Sequence, residues 1–170
     1  IYRMSEVRLN GSLITLHAGG YSPFLADLTG RLREGENLLQ VKVNASQLPA
    51  SRWYSGAGIY RGIRMLTAPI PCFEPWGISA VAESLSSLSA NIRIRAELYN
   101  PLKTACRIAH AIYDEHEDLV AEAESIGEDR TVMTLSVLSP MLWDVDHPRL
   151  YSLYSTLKTE SGLTTSISTR

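Results

Sequence analysis

Hydrophobic and polar positions alternate with a period of two in many runs along this chain, the signature of strands that bury one face. Met4-Ser5-Glu6-Val7-Arg8-Leu9 and Ser12-Leu13-Ile14-Thr15-Leu16-His17 flank Asn10-Gly11, the strongest two-residue hairpin signal, so a β-hairpin is predicted there. Leu38 to Asn44 reads as a buried-type strand whose alternate residues Leu39, Val41 and Val43 share a face. Gly62-Ile63-Arg64-Met65-Leu66 is strand-like before Ala68-Pro69. Four strands before Pro69 are few for a closed sandwich.

Ile70-Pro71-Cys72-Phe73-Glu74-Pro75-Trp76-Gly77 is the best boundary, because its prolines oppose both helix and central strand. A first domain over 1–69 and a second over 70–170 are therefore expected. Downstream, strands are predicted at Ile78 to Glu83, Ala90 to Tyr99, Ala105 to Asp114, Leu119 to Ser125, Thr131 to Leu138, Leu150 to Glu160 and Leu163 to Thr169. The fourth of these is rich in Ala and Glu and could be helical, but its shortness and flanking turns favour strand. Ile92, Ile94, Ala96 and Leu98 mark one face of the second, and Leu153 with Leu157 a face of the sixth. Seven closely spaced strands suggest an immunoglobulin-like sandwich of about 100 residues, without the cysteine and tryptophan spacing of antibody domains. The fold class read from the pattern is all-β.

Composition narrows the partners rather than the fold. Of 170 residues, 45% are hydrophobic and 20% charged, enough to bury a core, and the formal charge of −2 provides no basic field for nucleic acid or an anionic membrane. No apolar run approaches a bilayer span, and Ile1-Tyr2-Arg3-Met4 lacks signal-peptide character, which favours the cytoplasm although the start itself looks truncated. Cys72 and Cys106 have no metal-ligand spacing and read as reduced thiols. No cofactor motif is present: G-x-S-x-G, G-x-x-x-x-G-K and H-E-x-x-H are all missing.

Candidate chemistry concentrates in Arg52-Trp53-Tyr54-Ser55-Gly56-Ala57-Gly58-Ile59-Tyr60-Arg61. A guanidinium, rings and a hydroxyl on a glycine-hinged segment suit a polar ring-shaped ligand such as a sugar, and equally could plug the end of a sandwich. Two acidic clusters, Asp114-Glu115-His116-Glu117-Asp118 and Asp144 with Asp146 and His147, resemble metal or acid–base sites on paper. Both lie where hairpin tips and Asx turns are expected, so solvated turn carboxylates are the preferred reading. His17, followed by two glycines, is either a ligand contact or a hydrogen-bonded structural histidine.

In order, Val7-Arg8-Leu9-Asn10-Gly11, His17 to Phe24, Asp27-Leu28-Thr29, Gly35-Glu36-Asn37-Leu38-Leu39 and Arg52 to Arg61 resemble the sugar-binding domain of glycoside hydrolase family two, the β-galactosidases, β-glucuronidases and β-mannosidases. Ser139-Pro140-Met141-Leu142-Trp143 and His147-Pro148-Arg149-Leu150-Tyr151 resemble the P-x-L-W…P-x-L-Y signature that closes the family's immunoglobulin-like domain. The resemblance covers essentially the whole chain, and Arg52 to Arg61 is more similar to the β-galactosidases. It implies a partial jelly roll over 1–69, then the sandwich, then a (β/α)8 barrel outside this chain that carries the two catalytic glutamates of a retaining β-glycosidase, their carboxyls about 5 Å apart.

By that resemblance Arg52, Trp53 and Tyr54 reach the sugar site, with His17 and Tyr21 as further substrate contacts, while Gly56, Gly58 and Ile59 serve the turn and the packing beneath it. No catalytic residue is expected in this chain, and no cofactor. Arg52 stands where some larger β-galactosidases place an acidic cation ligand, so no metal site is carried over. The expected partner is a β-galactoside or related carbohydrate, met through the full-length parent. A homo-oligomer is also expected, because half a jelly roll leaves strand edges unpaired. The competing function is a free-standing carbohydrate-binding or structural sandwich module.

Overall fold

The computed structural model describes residues 1–46 and 56–170, and these are all strand, turn and loop with no helix among them. They divide into two compact units, Ile1–Met65 and Leu66–Arg170.

In the first unit β1 (Met4–Leu9), β2 (Ser12–Ala18) and β3 (Leu39–Asn44) form an antiparallel sheet in the order β2-β1-β3. Asn10 and Gly11 both take positive φ, 51° and 83°, as a type I′ turn requires, and Leu9 pairs with Ser12 across it. Ser5, Val7 and Leu9 are buried on one face, with Val43, Val41 and Leu39 opposite them on β3. β3 is less buried than its pattern predicts: Leu39 is exposed and Val41 and Val43 only half-buried, because β3 borders the sheet rather than crossing its centre. Asn37 holds the long β2–β3 connection. Its amide nitrogen donates to the Arg33 carbonyl at 2.8 Å, while its Oδ1 accepts from Arg33 N at 3.1 Å and from Asn10 Nδ2 at 2.9 Å.

Among the described residues three strands stand before Pro69, where the pattern predicts four. Gly62 to Leu66 forms no ladder with any described residue, and every residue from 59 to 70 is exposed. Alternation gives that run the capacity for a strand, but a strand also needs a neighbour to take its backbone hydrogen bonds.

The second unit is a sandwich of two antiparallel sheets, β4-β5-β8 and β10-β9-β6-β7. Its strands are β4 (Cys72–Leu85), β5 (Ser89–Tyr99), β6 (Cys106–Tyr113), β7 (Leu119–Ile126), β8 (Arg130–Leu138), β9 (Ser152–Thr159) and β10 (Thr164–Thr169). All seven predicted strands are present, in an immunoglobulin-like order. The Ala- and Glu-rich β7 is a strand: it pairs along β6, with Ala121 and Ala123 turned to the core and Glu122 and Glu124 outward.

β4 starts at Cys72, six residues before the predicted Ile78, so the proline-rich stretch is largely strand. Its ladder with β5 breaks between Phe73 and Ile78, where Pro75 sits on an edge strand and Trp76 takes φ 58°. A Cβ on Gly77 would come within 2.8 Å of two backbone oxygens, of Glu74 and Glu97, so the bulge closes only on glycine.

Two buried clusters join the sheets. Phe73, Ala96, Leu98, Cys106, Ile108 and Leu157 fill one end, and Ile94, Ile112, Leu135, Val137 and Leu153 the other. His110 on β6 is also buried, 1% exposed, and its Nδ1 lies 2.8 Å from the equally buried Ser155 Oγ on the paired strand β9. Its Nε2 has no partner in the described core. Burial lowers the His110 pKa from 6.5 to about 4. Cys106 is buried, Cys72 half-buried, and both are free.

Candidate functional site

β2 carries His17 to its C-terminal end and hands the chain to Gly19, beside the His17 ring and Ser22, and to Gly20, beside the Tyr2 ring. The approach is close enough that a Cβ on Gly20 would fall 2.4 Å from the Tyr2 ring, so this position admits only glycine without moving the ring. Tyr21 follows, edge-on to Tyr2 with centroids 5.9 Å apart, and the Arg3 guanidinium lies 5.4 Å from the Tyr2 ring centre. The segment after Gly58 fastens the loop from the other side. Tyr2 N donates to the Gly58 carbonyl at 3.4 Å, the Tyr60 hydroxyl donates to the Gly20 carbonyl, and Arg61 Nη1 donates to the Tyr21 carbonyl at 3.1 Å. Arg61 also lies 5.3 Å from the Tyr60 ring centre, within cation–π range.

A surface of two tyrosine rings and a guanidinium results, built on backbone carbonyls rather than on mobile side-chain contacts. Tyr21 is 64% exposed and Tyr60 50%. Aromatic faces with adjacent fixed N–H donors pack against the C–H face of a sugar and bond its hydroxyls. Among the described residues this surface contains no acid–base pair.

Of the predicted contacts, Tyr21 is in this surface and exposed. His17 is beside it but engaged: its ring stacks on Phe24 at 4.3 Å with 11° between planes, and Nε2 is 3.5 Å from Ser22 Oγ. Arg52, Trp53 and Tyr54 lie outside the described residues. Gly58 takes φ 107°, in keeping with a turn, and Ile59 is 50% exposed. Tyr2, Tyr60 and Arg61, which the sequence does not single out as contacts, adjoin Tyr21 in this surface. The last two close the Arg52 to Arg61 motif, and their aromatic–cation pairing was the available signal; Tyr2 gave none, since the β1–β2 pairing alone brings it to Gly20.

The acidic clusters are turns. Asp114 Oδ1 accepts from the backbone N–H groups of His116 at 2.9 Å and Asp118 at 3.0 Å. Asp144 Oδ1 accepts likewise from Asp146 at 2.9 Å and His147 at 2.7 Å. Among the described residues no group of three or more His, Cys, Asp or Glu is placed to hold a metal ion.

Comparison with known proteins agrees with this architecture. The chain is 36% identical over 163 residues to the β-galactosidase BoGH2A of Bacteroides ovatus, covering 90% of this chain and 19% of that protein. It is 30% identical over 162 residues to a β-galactosidase of Halalkalibacterium halodurans, covering 92% and 16%. A crystal structure of a β-glycosidase from Bacteroides vulgatus superposes with a TM-score of 0.89 at 27% identity, over 99% of this chain and 22% of that one. The chain thus spans about a fifth of the length of these relatives. The family model for glycosyl hydrolases family 2 matches residues 78–170, more than half of the chain, and with these relatives it establishes that the chain belongs to that family.

Proposed function

We propose that this chain is the non-catalytic, sugar-framing portion of a retaining β-glycosidase that acts on β-galactosides. The observation that carries the reading is the fixed surface of Tyr21, Tyr60 and Arg61, which offers ring faces and guanidinium donors. Arg52, Trp53 and Tyr54 extend it by resemblance, and His17 supports it by stacking on Phe24. The curated relatives with the higher identities are named β-galactosidases, which favours a galactoside over a glucuronide. In this reading the catalytic glutamates belong to another part of the polypeptide, residues 1–69 are the C-terminal part of a sugar-binding jelly roll, and residues 70–170 support the catalytic portion.

The test is hydrolysis of chromogenic β-galactosides by the intact protein. Turnover with retention at the anomeric carbon is expected, and no turnover of any common β-glycoside would sink the reading. Arg61→Ala in that protein is expected to raise KM about tenfold, the loss of one charged hydrogen bond to substrate, with kcat less affected. An unchanged KM would remove Arg61 from the site.

The exposure of Tyr21 and Tyr60 favours one alternative, a carbohydrate-binding module acting by itself. Calorimetric titration of the 170-residue chain with galactosides separates the two. Saturable binding by this chain alone supports the module, whereas its absence supports a surface completed by another part of the polypeptide.

A further inference from the structure

The outer face of the four-stranded sheet carries a trough that no part of the Tyr21 surface uses. Strand register sets side chains in rows across it, Glu122, Ala111 and Tyr154 in one and Glu124, Ala109 and Thr156 in the next, with Tyr113 closing one end. The β6 members of these rows alternate with the buried Ile108, His110 and Ile112, so the rows point away from the core. Neighbouring strands lie about 4.8 Å apart, so the two alanine methyls floor a channel about 10 Å wide. Carboxylates on β7 form one wall, and a ring and a hydroxyl on β9 form the other.

The walls hold groups that are fixed and unspent. Tyr154, 46% exposed, meets the Tyr113 ring edge-on, with centroids 5.4 Å apart and 86° between planes, so each ring buttresses the other. Neither phenol hydroxyl has a hydrogen-bond partner among the described residues. Glu124 pairs with Arg107, whereas Glu122 has no ion pair among the described residues. Ser166 Oγ, 3.0 Å from Thr156 Oγ1, carries the hydroxyls on to β10.

Charge selects the occupant. On the outward positions of these four strands Arg107 and Lys158 balance Glu122 and Glu124, so no net field draws an ionic partner, and the carboxylate wall repels a phosphate backbone. Two methyls and two ring faces line the trough, less apolar surface than the core of a protein interface presents. Ring faces that pack on C–H groups, carboxylate and phenol oxygens that bond hydroxyls, and a floor without bulk suit a neutral sugar chain.

We propose that this trough is a second carbohydrate site, which binds a neutral oligosaccharide lying along β6 with Tyr154 against a sugar ring and Glu122 accepting from its hydroxyls. The site goes beyond the hydrolytic reading and does not depend on it.

NMR of isotope-labelled alanine methyls in the 170-residue chain, titrated with galactotetraose and with cellotetraose, tests it. Saturable shifts of the Ala109 and Ala111 methyls are expected with at least one of the two sugars, while those of the buried Ala90 and Ala96 stay in place. Tyr154→Ala and Glu122→Ala are each expected to weaken that binding about tenfold. Unchanged Ala90 and Ala96 signals show that each variant is folded. Still methyls at Ala109 and Ala111 with both sugars overturn the proposal, as does unaltered affinity in either variant. Shifts confined to Ala18, at the end of β2 that leads to Tyr21, also overturn it and assign the binding to the Tyr21 surface. Absence of β-galactoside hydrolysis with trough binding intact counts against the proposed reaction alone.

Discussion

At the scale of single residues, His110 has the clearest consequence. Its Nδ1 is bonded to Ser155, and whichever partner donates, a cationic ring would place an N–H at Nε2 facing no acceptor. The group that faces it across β7 is Ala123, Cys106 and Ile108 neighbour it on β6, and no carboxylate shares this face of β6 or β9. Burial therefore holds the ring neutral, with a pKa of about 4 against an ordinary 6.5. Between those two values the unfolded chain binds the proton that the folded chain refuses, so stability rises with pH across the window. Above pH 6.5 the residue contributes no slope. Denaturant melts are expected to show about 2 kcal/mol lost between pH 6.5 and 4 from this site. The pair His110→Leu with Ser155→Val is expected to stay folded at pH 7, since both polar partners are removed together, and to lose that part of the slope. Identical pH profiles for the two proteins would exclude His110 as the cause. Ser155→Ala alone, which orphans Nδ1 as well, is expected to cost about 1–3 kcal/mol at pH 7.

At the scale of elements, the β4 bulge and the unpaired segment after Gly58 show what local pattern governs and what it does not. Asn10-Gly11 fixed a hairpin and its register because the turn's two positive φ values are a local property of those residues. The prolines of this stretch oppose a central strand, but an edge strand tolerates the missing N–H of Pro75 and a bulge uses Gly77, so the strand continues through them. Gly77→Ala is expected to destabilise the chain by about 3 kcal/mol, because its Cβ meets two backbone oxygens that cannot rotate away. A urea midpoint within error of the parent would show that the bulge relaxes. Gly62 to Leu66 failed as a strand for the opposite reason: its alternation was sound and its partner was not among the described residues.

At the scale of the whole molecule, the two units differ in how completely they bury themselves. The sandwich closes two cores between its sheets. The three-stranded sheet of the first unit has β2 and β3 as open edges among the described residues, with Leu13, Leu16 and Leu39 exposed on them. Open edges with apolar side chains recruit other strands. Sedimentation of the 170-residue chain is expected to show concentration-dependent association, and a single monomeric species across the concentration range would refute that.

The sequence by itself determined the all-β class, the seven sandwich strands and the Asn10-Gly11 hairpin, since period-two burial and turn chemistry act over neighbouring residues. It also anticipated the turn roles of Asp114 and Asp144, where a carboxylate bonds N–H groups two to four residues on. Only the tertiary structure decided that Tyr2 and Tyr60 join Tyr21, that His17 is occupied by Phe24, and that His110 and Ser155 meet in the core. Tyr21 and Arg61 are 40 residues apart, and His110 and Ser155 are 45 apart. Contacts at such separations are set by strand order and register, which no local period encodes.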